Sequence, residues 1–307
     1  MKKPPRFTLS STYWRRLARF TGLVSGLAVI FVLAYLVYRH VEVFTTPHRS
    51  THLDYPANPH IPVADITLTT TDGLNLAGWH LTGSRPNAVI VVHGLNANRS
   101  AVLPEAEQLA QAGFHILLID LRGHGLSEGQ YNSYGYREAL DVLAAVEYAA
   151  ADPAIDHIGA VGTSLGGAAV ARAAALDPRL EAVVITSSYS SLPAAVTDAF
   201  DDMALLPRRP FGPLIIFLVE QRVGVKISVV NSTRDLATLS PRAVMIIHGT
   251  ADTLFPVEHA HKMYAAAGPP KTLWLIEGMG HENPVKGREA EYQARVVSFF
   301  EQAFAAR

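Results

Sequence analysis

Residues 160–169 read AVGTSLGGAA, and the way this stretch folds decides the rest of the chain. The apolar run 158–161 has the look of a buried strand, and the small-residue run 165–176 that of a helix packed closely on a sheet. Between them, Gly162-Thr163-Ser164-Leu165-Gly166 fits G-x-S-x-G. A sharp strand-to-helix turn would hold the Ser164 hydroxyl clear of the backbone, with neighbours lacking a Cβ so that strand and helix can close up. Leu165 would open the helix, so its backbone N–H has no intrahelical acceptor and can face a developing oxyanion. A glycine-rich turn in any α/β protein would read the same way. The partners of Ser164 therefore decide between the two readings.

A serine hydroxyl at its ordinary pKa is a weak nucleophile, and it needs a base and a carboxylate to hold that base. Two later loops supply them. The strand VMIIHGT runs into Ala251-Asp252-Thr253-Leu254, which places Asp252 just past a buried strand. TLWLIEG runs into Met279-Gly280-His281-Glu282-Asn283, which does the same for His281. Asp235 is the alternative acid, one strand earlier.

Outward from this centre, apolar strands alternate with helical stretches, the pattern of a parallel sheet with crossovers. Strands are expected at 88–93, 115–120, 158–163, 182–186, 243–248 and 272–276, and helices at 102–112, 137–151, 165–176, 257–267 and 288–306. Ahead of them, 64–70 and 74–82 around Asp72-Gly73 read as an antiparallel hairpin. The interval 189–239 breaks the alternation and is too long for a structureless loop, so a small helical insertion is expected there. Its apolar run 214–219 has three readings: it lines an acyl pocket, touches a bilayer, or packs the insertion on the body.

At the N-terminus, FTGLVSGLAVIFVLAYLVY at 20–38 carries no charge between Arg19 and Arg39, close to the ~20 residues that span hydrocarbon. The run is longer than a signal-peptide core and ends in bulky Tyr38-Arg39-His40, which favours an uncleaved signal anchor over a cleaved leader. Residues 1–19 would be a basic cytoplasmic segment, 39–63 a proline- and histidine-rich connector, extended from residue 41, and 64–307 the domain. Tyr13, Trp14, Tyr35 and Tyr38 suit interfacial belts. Basic residues on the N-terminal side keep that end in the cytoplasm and place the domain on the non-cytoplasmic side of a single-pass membrane protein.

Seven of the 26 basic residues precede Glu42, the first acid, which leaves 19 against 27 acidic residues in the remainder. An acidic body argues against nucleic-acid binding. The chain has no cysteine, which excludes disulfides, thiol catalysis and Cys₄ zinc sites. His48, His52 and His60 have no tight ligand spacing, and His259 and His261, two apart on a helix, diverge. No G-x-x-x-x-G-K-[ST] or H-E-x-x-H occurs.

The residues from 64 to 304 resemble an α/β-hydrolase. Beyond GTSLGG, VVHGLNANR at 91–99 resembles that family's His-Gly turn, and LLIDLRGHGLSEG at 117–129 its D-x-R-G-x-G-x-S segment. HGTAD and GMGH resemble its acid and base loops, and the order Ser164, Asp252, His281 is the family's chain order. With the anchor, the chain is similar to single-pass membrane α/β-hydrolase-domain proteins, which include esterases, lysophospholipases and acyl-protein thioesterases.

The resemblance implies an α/β-hydrolase fold: an eight-stranded, mostly parallel sheet with helices on both faces and a small helical cap. It also implies a serine hydrolase that cleaves carboxylic esters or thioesters of an acyl lipid or small molecule, with Ser164, His281 and Asp252 as its triad and no cofactor. The oxyanion hole would be the backbone N–H groups of Leu95 and Leu165. His93-Gly94-Leu95-Asn96 departs from the HGGG form, which bears on bulky tertiary esters and not on the basic reaction. His93, His124 and His248 are read as scaffold, and Asp120 with Arg122 as organisers of loops. The competing readings are a prolyl-oligopeptidase-type serine peptidase and a catalytically silent, membrane-tethered binding protein.

Overall fold

The computed structural model describes residues 10–56, 58, 61–203, 206–281 and 283–306. It opens with a 35-residue helix, α1 (Ser11–Thr45), capped where the Ser10 side chain accepts from the Tyr13 amide. Its best stretch has a mean hydropathy of 2.3, so by length and composition α1 suits a membrane anchor or a signal sequence. The helix does not stop at residue 38. Val37 and Val41 pack on the cap described below, and that burial carries the helix on to Thr45, into the segment expected to be extended.

The hairpin forms as expected. β1 (Val63–Thr69) pairs antiparallel with β2 (Asn75–Leu81) around Gly73, whose φ of +88° suits a residue without a Cβ. Then follow β3 (Asn87–Val92), a short 3₁₀ turn at Arg99–Val102, α2 (Leu103–Gln111), β4 (His115–Ile119), α3 (Glu138–Ala150), β5 (His157–Thr163), α4 (Leu165–Leu176) and β6 (Leu180–Thr186). Three helices fill the interval before the next strand: α5 (Leu192–Met203), α6 (Arg208–Val223) and α7 (Ser232–Leu236). The chain closes with β7 (Ala243–Gly249), α8 (Glu258–Ala266), β8 (Lys271–Ile276), α9 (Glu289–Tyr292) and α10 (Ser298–Ala305).

The eight strands lie in the order β1-β2-β4-β3-β5-β6-β7-β8; β1 and β2 are antiparallel to their neighbours and the rest are parallel. A parallel sheet is covered on both faces, so its strands read as nearly unbroken apolar runs. Ala88, Ile90 and Val92 of β3 point to one core with α3, α4 and α8, while Val89 and Val91 point to the other with α2 and α10.

The single helix expected over 288–306 is instead α9 and α10 joined by a π turn at Gln293–Val297. Tyr292, Val296, Phe300 and Phe304 recur every four residues and all face the sheet, a spacing that drifts off one face of a regular α-helix. The wider turn restores the alignment. Phe300 is held against Gly159, where a Cβ would come within 2.5 Å of its ring.

One buried ion pair fixes the loops above β4. The Asp120 carboxylate accepts from the Arg99 amide at 2.8 Å, its guanidinium at 2.5 Å and the Leu126 amide at 2.9 Å. The same guanidinium lies 4.4 Å over the Trp79 ring. Arg122 in turn bridges Asp72 and Asp141. Asp120 and Arg122 thus organise loops.

Candidate active site

Ser164 stands between β5 and α4 with φ 55° and ψ −116°, a left-handed backbone that few side chains adopt. Hydrogen bonds on both its N–H and its carbonyl hold it there. Its N–H donates to the Thr186 carbonyl at 2.9 Å, and its own carbonyl accepts from the Gly167 amide at 3.0 Å and the Ser188 hydroxyl at 2.7 Å. The glycines of the pentapeptide are required by contact: a Cβ on Gly166 would lie 2.5 Å from the Val92 carbonyl oxygen. Strain at this turn is therefore imposed by the packing of strand on helix, which leaves the hydroxyl projecting from the sheet rim.

His281 follows β8 and Asp252 follows β7, so both arrive at the rim that carries Ser164. His281 Nε2 lies 3.2 Å from Ser164 Oγ, and Nδ1 lies 2.8 Å from Asp252 Oδ2. The other carboxylate oxygen accepts from the Leu254 and Phe255 amides at 3.0 and 2.9 Å. Burial acts to raise the Asp252 carboxyl. The hydrogen bonds from His281 and the Phe255 amide, with the two nearby imidazoles, outweigh it and hold the group below the usual carboxylate range. Phe255 also packs edge-on to the imidazole, with ring centroids 5.2 Å apart.

Leu95 and Leu165 both line the cavity beside Ser164, and among the described residues neither N–H has an acceptor. His93 sets the first of them. Its Nε2 accepts from the Leu121 amide at 3.0 Å, so the proton must be on Nδ1, which donates to the Gly94 carbonyl at 2.7 Å. Burial pushes this imidazole down to about 3, so it stays neutral. The carbonyl and N–H of one peptide point in opposite directions. A clamp on the Gly94 oxygen therefore aims the Leu95 N–H. Gly94 comes close enough that a Cβ there would lie 3.2 Å from the Ser164 Cβ.

Known proteins agree with this topology. A family model described as alpha/beta hydrolase fold matches residues 87–206. The esterase Pf2001 of Pyrococcus furiosus superposes with a TM-score of 0.70 at 25% identity, over 84% of this chain and 98% of its own. This chain has the α/β-hydrolase fold. Among curated relatives, the uncharacterised protein YfhR of Salmonella typhi is 27% identical over 93% of this chain and 97% of its own length. The uncharacterised protein Rv2307c of Mycobacterium tuberculosis is 28% identical over 84% and 89%. The fold and its esterase neighbours support hydrolase activity.

A cavity of about 470 Å³ opens beside Ser164. Its walls are mostly apolar: Leu192, Ala195 and Val196 of α5, Ile215, Ile216 and Val219 of α6, and Phe44 from the end of α1. The run 214–219 thus divides by face, with Ile215, Ile216 and Val219 on the cavity and Leu214 and Phe217 exposed.

Sequence reasoning missed two contributors. Phe44 is one; the signal was the spacing Leu33, Val37, Val41, which continues one apolar face of α1 past its uncharged run. The other is Glu105, buried on α2 with one oxygen accepting from Asn283 Nδ2 at 2.7 Å and the other without a partner. It stands three residues after Val102 and four before Leu109, on the apolar stripe of its helix. A carboxyl on such a stripe was the available clue.

Burial raises the Glu105 carboxyl from 4.5 to about 7. The folded protein thus keeps a proton that the unfolded chain has already released between those two values, and stability falls as pH rises through that window. Glu105→Gln keeps an oxygen for Asn283 and has no proton to lose. It is expected to be more stable than the wild type at pH 8 by up to about 3 kcal/mol, and so to unfold at a higher temperature, with no difference at pH 4. Thermal unfolding of both proteins in detergent at the two pH values checks this; an equal gap at both would rule it out.

The remaining candidates lie apart from Ser164. Asp235, the alternative acid, is on α7 beside Arg234 at 3.8 Å. His248 Nε2 donates to the Phe255 carbonyl at 2.8 Å and supports the Asp252 loop. His259 Nδ1 accepts from the Ser190 amide at 3.0 Å, while Nε2 meets Asp198 at 3.0 Å. His124 Nδ1 donates to the Arg122 carbonyl at 2.9 Å. His48 and His52 stay in the connector, and His60 lies outside the described residues.

Proposed function

We propose that this protein is a membrane-anchored serine hydrolase that cleaves carboxylic ester or thioester bonds by acyl transfer. The observation that carries the reading is the unbroken relay from Ser164 Oγ to His281 Nε2 at 3.2 Å and from Nδ1 to Asp252 at 2.8 Å, at the mouth of an apolar cavity. His281 takes the hydroxyl proton as Ser164 attacks the acyl carbonyl, and Asp252 stabilises the imidazolium. The tetrahedral oxyanion is met by the N–H groups of Leu95 and Leu165. His281 then protonates the leaving group, and by activating water it releases the acid from the acyl-enzyme.

The apolar walls suit an acyl chain, with the scissile carbonyl at Ser164. The match to an esterase over 98% of that chain favours esters over peptides. The α1 helix is read as a retained anchor with its N-terminus in the cytoplasm and the catalytic domain on the other side. Its docked end supports retention: the Phe44 carbonyl accepts from the Tyr134 hydroxyl at 2.5 Å, and Glu42 pairs with Arg222 at 2.7 Å.

A fluorophosphonate probe tests the assignment. The wild type is expected to be labelled, and Ser164→Ala is not; labelling of that variant at the same site would reject Ser164, and an unlabelled wild type would favour the silent binding protein. A series of p-nitrophenyl esters of increasing chain length then reads the depth of the cavity.

A further inference from the structure

Helices α1 and α6 lie side by side and point the same way. Near their C-terminal ends Arg222 pairs with Glu42 at 2.7 Å and covers the Tyr131 ring at 4.9 Å. Between them runs a groove, walled by Ile30, Leu33 and Ala34 of α1 and by Phe211, Leu214 and Leu218 of α6, that reaches Arg222. The α1 wall belongs to the uncharged run 20–38. Whatever lies against that wall shares its depth in a bilayer.

The composition of α6 fits that depth. From 210 to 219 it carries no charge, and Leu214 and Phe217, neighbours on one face, are 45% and 55% exposed. Exposed apolar side chains continuous with a membrane helix mark a lipid contact rather than a water-facing surface. Arg208 and Arg209, at the tip of α6, limit how far it enters, because their guanidinium groups must reach lipid phosphates or water. On the opposite face of the same helix, Ile215, Ile216 and Val219 line the cavity at Ser164.

We propose that α6 is an interfacial cap helix that dips Leu214 and Phe217 among the acyl chains of a glycerophospholipid leaflet, and that the substrate is a membrane lipid ester. Its acyl chain passes from that leaflet, around α6, into the cavity. The substrate half of this inference rests on the serine-hydrolase reading; the location of α6 does not.

The cysteine-free chain allows a direct test on the full-length protein. Phe217→Cys and, as reference, Leu176→Cys at the far end of α4, 54% exposed, are each labelled with an environment-sensitive fluorophore. Both are reconstituted into phosphatidylcholine–phosphatidylglycerol vesicles with and without acyl-chain nitroxide lipid. At position 217 the nitroxide is expected to lower emission by about twofold or more, with no change at 176. Equal quenching at the two positions, or none at 217, overturns the location of α6.

A second measurement separates the two halves. Leu214→Glu combined with Phe217→Glu is expected to hydrolyse soluble p-nitrophenyl butyrate at the wild-type rate but vesicle phospholipid about tenfold more slowly. Unchanged phospholipid hydrolysis overturns the proposed route. A wild type that turns over neither ester strikes the serine-hydrolase reading, and the substrate half with it, while the quenching result still decides where α6 lies.

Discussion

Ser164→Ala and His281→Ala are each expected to lower kcat by about 10⁴-fold to 10⁶-fold with the fold intact. The magnitude follows from the relay: with no hydroxyl there is no acyl-enzyme, and with no imidazole the hydroxyl keeps its proton. The two losses should not add, because the residues act as one unit, so the double variant should be as slow as either single one. Neither change removes structural support. The Ser164 backbone is held through its N–H and carbonyl by Thr186, Gly167 and Ser188, none of which contacts the hydroxyl. Turnover of p-nitrophenyl esters by purified protein, with circular dichroism as a control for folding, makes the measurement. A variant within tenfold of the wild type would dismiss this chemistry.

Arg99→Met is expected to cost about 3 to 5 kcal/mol of stability, the largest loss from any single side chain away from the reacting groups. Asp120 is fully buried and its carboxylate is neutralised by one guanidinium, itself 2% exposed. Removing that partner leaves a charge with amide donors but no counter-ion in a medium that solvates it poorly. Methionine fills much of the volume over Trp79, so little of the effect would come from a void. Adding Asp120→Asn should recover part of the loss. Urea denaturation of the three proteins measures it; a loss under about 1 kcal/mol for the single variant would mean that the pair is not the clamp described.

Much of this was legible in the chain because the physics at those positions is local. Strand-length apolar runs with polar ends placed the six parallel strands to within a residue or two at each end, and Asp72-Gly73 placed the hairpin turn. Ser164, Asp252 and His281 could be singled out because each follows a buried strand, and strand ends in a parallel sheet meet at one rim. What escaped was long-range. The spacing Leu33, Val37, Val41 shows that α1 is covered beyond its uncharged run, but nothing local announces that Phe44 joins a cavity whose other walls come from as far apart as residues 94–105, 192–227 and 254–255. Glu105 and Asn283 are 178 positions apart, and only the folded sheet brings them together. The π turn in the C-terminal helix also needed the sheet, since Gly159 is what lets Phe300 pack inward.

The docking of α1 sets a rule for preparing the protein. Cutting the chain behind residue 45 to dispense with detergent would uncover Ile215, Val219 and Val223, which Val37 and Val41 otherwise shield. It would also take from Tyr134 and Asn132 the carbonyl groups they hold, and from the reaction chamber the ring of Phe44. A shortened protein would thus give up part of the cavity's enclosure along with α1, and sluggish or aggregated material obtained that way would say nothing about the full-length protein.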